Sequence, residues 1–231
     1  MSALKIAVIG DGKMGRAVVG VAQDAGYSVT AVLGMNTPIT STSLAGAQVA
    51  IEFTEPSAAV QNIKACIAAH CPVVVGTTGW YEQLDDVTSL VKEHQGAMLW
   101  AANFSLGVHI FTQLVQYAGE LLARVPTFDA HLIETHHTAK KDAPSGTALM
   151  LRRSMSSTWG HDLPITSVRV GAVPGTHELV LDSTYEQITL RHTARDRRVF
   201  AEGAVAAARW LAEQQEQGVF TIADMFGGKR V

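Results

Sequence analysis

The segment Glu134-Thr135-His136-His137-Thr138-Ala139-Lys140-Lys141-Asp142-Ala143-Pro144-Ser145-Gly146-Thr147 is the stretch of this chain richest in groups that can do chemistry. Histidine is the natural proton donor near neutral pH. Lysine supplies a fixed positive charge for a carboxylate or a developing anion. Adjacent side chains on an extended backbone point in different directions, so His136 and His137 can serve different roles. Ser145-Gly146-Thr147 stands at the start of a predicted helix, where free backbone N–H groups bind a carboxylate. A proton donor thus lies beside two kinds of anion contact. Two other readings compete. His131, Glu134, His136 and His137 could together ligate a metal. However, His131 and Glu134 should face opposite sides of a strand, which weighs against shared ligation, and no metal is expected. The segment could also be a solvated loop leading into a well-capped helix, but the density of His and Lys beside Asp-Ala-Pro-Ser-Gly-Thr favours function.

A second group of residues lies near the N-terminus. Gly10, Asp11, Gly12, Lys13, Met14 and Gly15 form a G-x-G-x-x-G that follows a strand and opens a helix. Glycines let the backbone turn tightly against a pyrophosphate, and the helix N-terminus supplies N–H groups and a positive dipole end. The pattern predicts dinucleotide binding. The second strand of such a unit normally ends in an acidic residue for the adenine ribose. Here it ends Ala31-Val32-Leu33-Gly34-Met35-Asn36, with neither that acid nor an Arg for a 2′-phosphate. Lys13 and Arg16 stand on the adjacent turn and helix, and with no carboxylate to repel a phosphate the reading leans to NADPH over NADH. Two more loops follow strand ends and should border the nicotinamide: Gly76, Thr77, Thr78 and Gly79, then Ala101, Ala102, Asn103, Phe104 and Ser105.

The elements that must position these residues follow from periodicity. Strands are predicted at Leu4 to Ile9, Ser28 to Leu33, Val49 to Phe53, Pro72 to Val75 and Ala97 to Trp100. Helices are predicted at Met14 to Ala25, at Ser57 to Ala69 after Pro56, and at Tyr81 to His94, while Thr37 to Ser43 reads as loop. This alternation implies a Rossmann-type doubly wound parallel sheet. After Asn103 the pattern changes. A long helix at Phe104 to Leu122, a strand at Phe128 to Glu134, a helix at Ser145 to Ser157, and strands around Val168, at His177 to Asp182 and at Glu186 to Thr193 suggest an α+β domain with a mixed or antiparallel sheet. A final helix, Phe200 to Glu216, is expected to return to the first domain. The division expected is residues 1–104 with 205–231 for the dinucleotide, and 105–204 for substrate and oligomerisation.

Composition sets the outer bounds. The 231 residues are 47% hydrophobic and 17% charged, which suits a globular protein with a substantial core. A membrane span needs roughly 20 apolar residues, and Gly, Pro or charge breaks every apolar run well before that. The start Met1-Ser2-Ala3-Leu4-Lys5 enters a strand pattern directly, without a signal-peptide layout, and a cytoplasmic enzyme is expected. The formal charge of −3 gives no global field for nucleic acid. Two cysteines, Cys66 and Cys71, are too few for a disulfide framework.

The segment Glu134 to Ala148 resembles the signature of the 4-hydroxy-tetrahydrodipicolinate (dihydrodipicolinate) reductases of bacterial lysine and diaminopimelate synthesis. The similarity extends over the whole chain, through Gly10 to Gly15, Ile51 to Pro56, Gly76 to Gly79, Ala101 to Ser105, Gly175-Thr176-His177 and Arg197 to Ala204. It implies that His136 donates or accepts a proton and that Lys140 is a second catalytic group. It implies that His137, Gly146, Thr147 and Arg197 hold the carboxylates of a small dicarboxylate, and that Gly10 to Met14, Gly76 to Thr78 and Ala101 to Phe104 bind NADPH or NADH. It also implies a homotetramer. Three departures touch the cofactor end: the glycine turn is one residue shorter than the family's usual G-x-x-G-R-M-G, with Lys13 where Arg is usual; Gly34 replaces the acid after the second strand; and the second and third strands are joined by a brief loop.

The reaction so implied reduces 4-hydroxy-tetrahydrodipicolinate to tetrahydrodipicolinate with loss of water, a hydride going to the substrate ring and a proton to a ring carbon. Two alternatives share the first domain: a Rossmann reductase of another imine or aldehyde, and a non-catalytic NAD(P)H sensor. The first has no need for the His-His and Ser-Gly-Thr pairing, and the second should bind cofactor without substrate-dependent oxidation.

Overall fold

A computed structural model describes residues 3–214 and 216–227. Met1 and Ser2, residue 215 within the expected last helix, and residues 228–231 lie outside the described residues. The chain divides into two compact units, residues 1–105 with 198–231 and residues 106–197.

The first unit is built on strands β1 (Lys5–Ile9), β2 (Ser28–Leu33), β3 (Val49–Glu52), β4 (Val73–Val75), β5 (Ala97–Trp100) and β10 (Gly218–Thr221), and on helices α1 (Lys13–Asp24), α2 (Pro56–Ala68), α3 (Leu84–Glu93) and α6 (Arg198–Glu213). The six strands lie in the order β10-β5-β4-β3-β1-β2, and every pairing is parallel. A parallel sheet covered on both faces needs strands that are apolar on both sides. Accordingly Ile6, Val8, Ile51, Val74 and Leu99 pack with the Ala-rich face of α6 and with α1. Their neighbours Ala7, Ile9, Ala50, Val73, Val75 and Met98 pack with α2 and α3 on the opposite face. The chain leaves β1 for β2 on one side and crosses to β3 on the other. The carboxyl ends of β1 and β3 therefore flank the point where the winding reverses, and ligands of such sheets lie there.

The second unit holds α4 (Leu106–Leu122), β6 (Asp129–His136), α5 (Gly146–Trp159), β7 (Ile165–Arg169), β8 (Thr176–Asp182) and β9 (Gln187–Thr193). Its sheet runs β7-β6-β8-β9, with β6 and β7 parallel and the other pairs antiparallel. Its core joins Phe111, Val115 and Leu122 of α4 and Leu151 and Met155 of α5 to Leu132 and Leu179 of the sheet.

Three elements differ from the sequence reading. β10, four residues with only Val219 and Phe220 to mark it, was not expected. α6 starts at Arg198 and lies wholly in the first unit. β6 continues through His136, two residues beyond the expected end at Glu134, so Thr135 and His136 are strand rather than loop. Among the described residues, no helix is long and apolar enough to cross a membrane.

Candidate active site

Strand β6 alternates strictly, and its inward row reads Ala130, Leu132, Glu134, His136. The first two extend the core. The last two carry the same face into a polar end. The antiparallel register sets His177 of β8 opposite Glu134, and the parallel register sets Arg169 of β7 opposite His136. Three titratable side chains thus converge from positions that would otherwise be core: Glu134 is 0% exposed, His177 4% and His136 8%.

Polar partners satisfy much of this burial. Arg169 Nη2 donates to Glu134 Oε1 at 2.7 Å, and the Ser145 backbone N–H donates to the same oxygen at 3.3 Å. Glu134 Oε2 contacts His136 Nδ1. Ser145 caps α5 by accepting from the Ala148 N–H at 3.2 Å, and its hydroxyl lies 3.3 Å from His177 Nε2. The His136 and His177 rings meet edge to face with centroids 5.3 Å apart. A side chain at Gly175 would come within 3.1 Å of His136 Nε2, so glycine keeps that edge of the imidazole clear.

These contacts set the charges. Burial alone would raise the Glu134 pKa, but hydrogen bonds from Arg169 and Ser167 and the charge of His136 bring it down to about 2. Burial holds His136 below the ordinary imidazole range against the pull of Glu134, and Lys140 and Arg169 push the same way as burial. Burial, with the charge of His136, lowers His177 to about 4. The resting site therefore combines an anionic Glu134 with neutral imidazoles. The contact of His136 Nδ1 with the Glu134 carboxylate favours the tautomer protonated on Nδ1, which leaves Nε2 to accept a proton.

The flanking loop supplies cations and N–H groups. Lys140 Nζ lies 2.8 Å from Asp142 Oδ1. The Lys140 hydrogen bond is the main cause of a lowered Asp142 pKa, and the Gly146 backbone N–H adds to it. Asp142 itself thus sits where a ligand carboxylate would meet Lys140 and the start of α5. Gly146 is exposed, and His137, Lys140 and Thr147 are half-buried around this end of the unit. Arg197 is exposed on the turn after β9, and among the described residues no hydrogen bond or ion pair joins it to the segment. His131 faces away on the other side of β6, with Nε2 2.8 Å from Thr166 Oγ1.

Reading the sequence missed Arg169 and gave no role to His177. The signal for His177 was its strand position alternating with Leu179 and Leu181. The ligand atoms of Glu134, His136 and His177 lie within 4.8 Å of one another, a grouping that could accommodate a cation. Arg169 and the Ser145 N–H already occupy Glu134 Oε1, so a metal would have to displace or sit against a guanidinium.

In the first unit the glycine turn follows β1. A Cβ at Gly10 would fall 2.1 Å from Phe53 O, and one at Gly15 would fall 1.9 Å from Gly10 O, so both close approaches require glycine. Gly12 caps α1 with no side chain over the helix end and open space around its own Cβ position. A cavity of about 280 Å³ adjoins the turn, bounded by Gly10 to Gly12, the Leu33–Met35 strand end and the Phe53–Glu55 loop. A second, lined by Gly12, Lys13, Met14 and Gly76 to Thr78, continues along the same strand ends. An open helix start beside a cavity of this kind fits a pyrophosphate and its nucleoside. Ala101 and Phe104 are buried in the core, with Phe104 edge-on to Phe53 at 6.1 Å, and Asn103 Oδ1 accepts the Ser105 N–H at 2.8 Å. The side chains of Ala101 and Phe104 thus support the loop from below.

The doubly wound first unit with its glycine turn marks a Rossmann-type oxidoreductase that uses a pyridine nucleotide. Two family models then match in tandem, dihydrodipicolinate reductase N-terminus over residues 4–104 and C-terminus over residues 107–226, and the chain belongs to that family. A 4-hydroxy-tetrahydrodipicolinate reductase of Christiangramia forsetii is 34% identical over 96% of this chain and 97% of its own. One of Gluconobacter oxydans is 39% identical over 76% of each. The dipicolinate-bound dihydrodipicolinate reductase of Paenisporosarcina sp. TG-14 shares the fold with a TM-score of 0.77 at 22% identity, covering 97% of this chain and 99% of that one.

Proposed function

We propose that the chain catalyses the reduction of 4-hydroxy-tetrahydrodipicolinate to tetrahydrodipicolinate with loss of water, using NADH or NADPH, in lysine and diaminopimelate synthesis. The observation that carries this reading is the buried Glu134–His136 pair at the end of β6, beside Lys140 and the start of α5. A proton donor held by a buried acid, with cationic and N–H contacts around it, suits a dianion that must be protonated on carbon.

The nucleotide, when bound, supplies a hydride to the substrate ring. The protein's own groups do the rest. The N–H groups at Gly146 and Thr147, with His137, hold one carboxylate, and Lys140 meets the second or the charge that develops on the ring. Arg197 is the further carboxylate contact. Two ligand carboxylates raise the pKa of the neutral His136, so Nε2 takes up a proton. Glu134 stabilises the resulting imidazolium and fixes its orientation, much as a buried acid serves a catalytic histidine elsewhere. His136 then delivers the Nε2 proton to the ring carbon. Residues 1–104 with 205–231 serve the nucleotide through Gly10 to Gly15, Gly76 to Thr78 and Ala101 to Phe104. Residues 105–204 serve the substrate and the assembly of a cytoplasmic homotetramer.

Freshly generated 4-hydroxy-tetrahydrodipicolinate, added to the protein with either reduced nicotinamide, tests this. Substrate-dependent loss of nicotinamide absorbance with formation of tetrahydrodipicolinate is expected. A protein that binds nucleotide and never oxidises it with this substrate would be a reductase of another imine or a sensor.

A further inference from the structure

The second strand lacks its acid, yet a carboxylate occupies its end. Gly10 N–H donates to Leu33 O at 2.8 Å, which clamps the glycine turn to the last residue of β2. That contact brings Asp11 over Gly34. A Cβ built on Gly34 would lie 3.1 Å from Asp11 Oδ2 and 3.4 Å from Asp11 Cγ. The Asp11 carboxylate thus fills the space into which a side chain at position 34 would grow, which is where sheets of this class place the acid that binds the adenine ribose hydroxyls.

The surrounding charges agree. The cavity that Asp11 and Gly34 share is also lined by Glu55, and among the described residues lining it none is Lys or Arg. Arg16, the nearest cation in sequence, directs its Nε to the Asp11 backbone carbonyl at 3.0 Å, bracing the turn. A ribose diol can donate two hydrogen bonds to a carboxylate. A 2′-phosphate in the same place would meet a like charge with no cation in the cavity lining to offset it.

We infer that Asp11 is the ribose-binding acid of this chain and that it sets a preference for NADH over NADPH. This inference rests on the nucleotide-dependent reading above and removes the premise on which the sequence leaned to NADPH.

Equilibrium titration of NADH and of NADPH into the full chain, without substrate, tests it. The wild-type protein should bind NADH more tightly. Asp11→Asn, which keeps the shape and removes the charge, should weaken NADH by about tenfold while leaving NADPH unchanged or improved. Asp11→Ala combined with Gly34→Asp should restore the NADH preference from the strand position. Tighter NADPH binding by the wild type, or an unchanged NADH to NADPH ratio in Asp11→Asn, would overturn the assignment. Binding of neither nucleotide would overturn it together with the nucleotide site. Because binding is read in the absence of substrate, the outcome is independent of whether the proposed substrate is turned over.

Discussion

Arg169 Nη2 donates to both Glu134 Oε1, at 2.7 Å, and the Asp142 carbonyl, at 2.5 Å. One guanidinium thereby fastens the buried end of β6 to the loop that carries Lys140. The strand carries the pair proposed to handle the proton and the loop carries the proposed anion contacts, so the distance between them is set by a residue given neither role.

Removing that residue should be costly. Arg169→Met leaves the Glu134 carboxylate buried without its main partner, and loss of one member of a buried pair costs about 3 kcal/mol. Denaturant unfolding of the variant measures this, and a midpoint equal to that of the wild type would show that Arg169 is not the counter-charge of Glu134.

Glu134→Gln tests positioning separately from stability. The amide keeps the size of the side chain and loses the charge that stabilises the His136 imidazolium. We expect kcat to fall at least about a hundredfold with KM little changed, and the alkaline limb of the pH–rate profile, set by the His136 acid, to move to lower pH. Unchanged kcat with an unchanged profile would reduce Glu134 to a structural role.

Acid should destabilise the second unit in two stages. His177 titrates near 4 when folded against an ordinary value of 6.5, so the unfolded chain binds the proton first. Its contribution is complete above pH 6.5 and is lost as pH falls towards 4, up to about 3 kcal/mol. Glu134, lowered from 4.5 to about 2, contributes fully above 4.5, and that contribution is lost as pH falls through 2. Unfolding free energy measured against pH should therefore decline from about pH 6.5 downward, and His177→Gln should flatten the upper part of the decline. A flat wild-type curve between pH 6.5 and 4 would contradict the buried neutral His177.

Asp142 holds the contacts proposed above for a substrate carboxylate. Its oxygen lies 2.8 Å from Lys140 Nζ, and the Gly146 N–H also acts on it. Asp142→Asn should lower the KM for the dicarboxylate several-fold, on the order of one charge-assisted contact, with kcat held within a factor of about two. A raised KM would mean that Asp142 orders Lys140 for the substrate instead of competing with it.

Much of this was legible in the sequence, for identifiable reasons. Strands such as Lys5–Ile9 are apolar throughout because both faces are covered, and the turn Gly10 to Gly15 can be read because glycine is needed where a Cβ would strike backbone. His136, Lys140 and Ser145 to Thr147 could be singled out because they are neighbours in sequence. What escaped was long-range. Arg169 reaches Glu134 through a parallel strand register 35 residues away, and His177 reaches Ser145 from 32 residues away. The boundary between strand and loop moved from Glu134 to His136 because polar residues on an inward row look like loop until their partners are known. Asp11 over Gly34 was hidden for the same reason, since the missing acid and its replacement lie on different strands' ends.

In the proposed mechanism His136, held by Glu134, delivers the proton in the reduction of 4-hydroxy-tetrahydrodipicolinate. The most direct measurement compares wild-type protein with His136→Gln in nicotinamide oxidation driven by that substrate, with nucleotide and dipicolinate binding titrated in parallel. Substrate-dependent oxidation by the wild type, a loss of at least about a hundredfold in the variant, and unchanged nucleotide binding are expected. Oxidation by the variant at the wild-type rate, or none by the wild type, would contradict it.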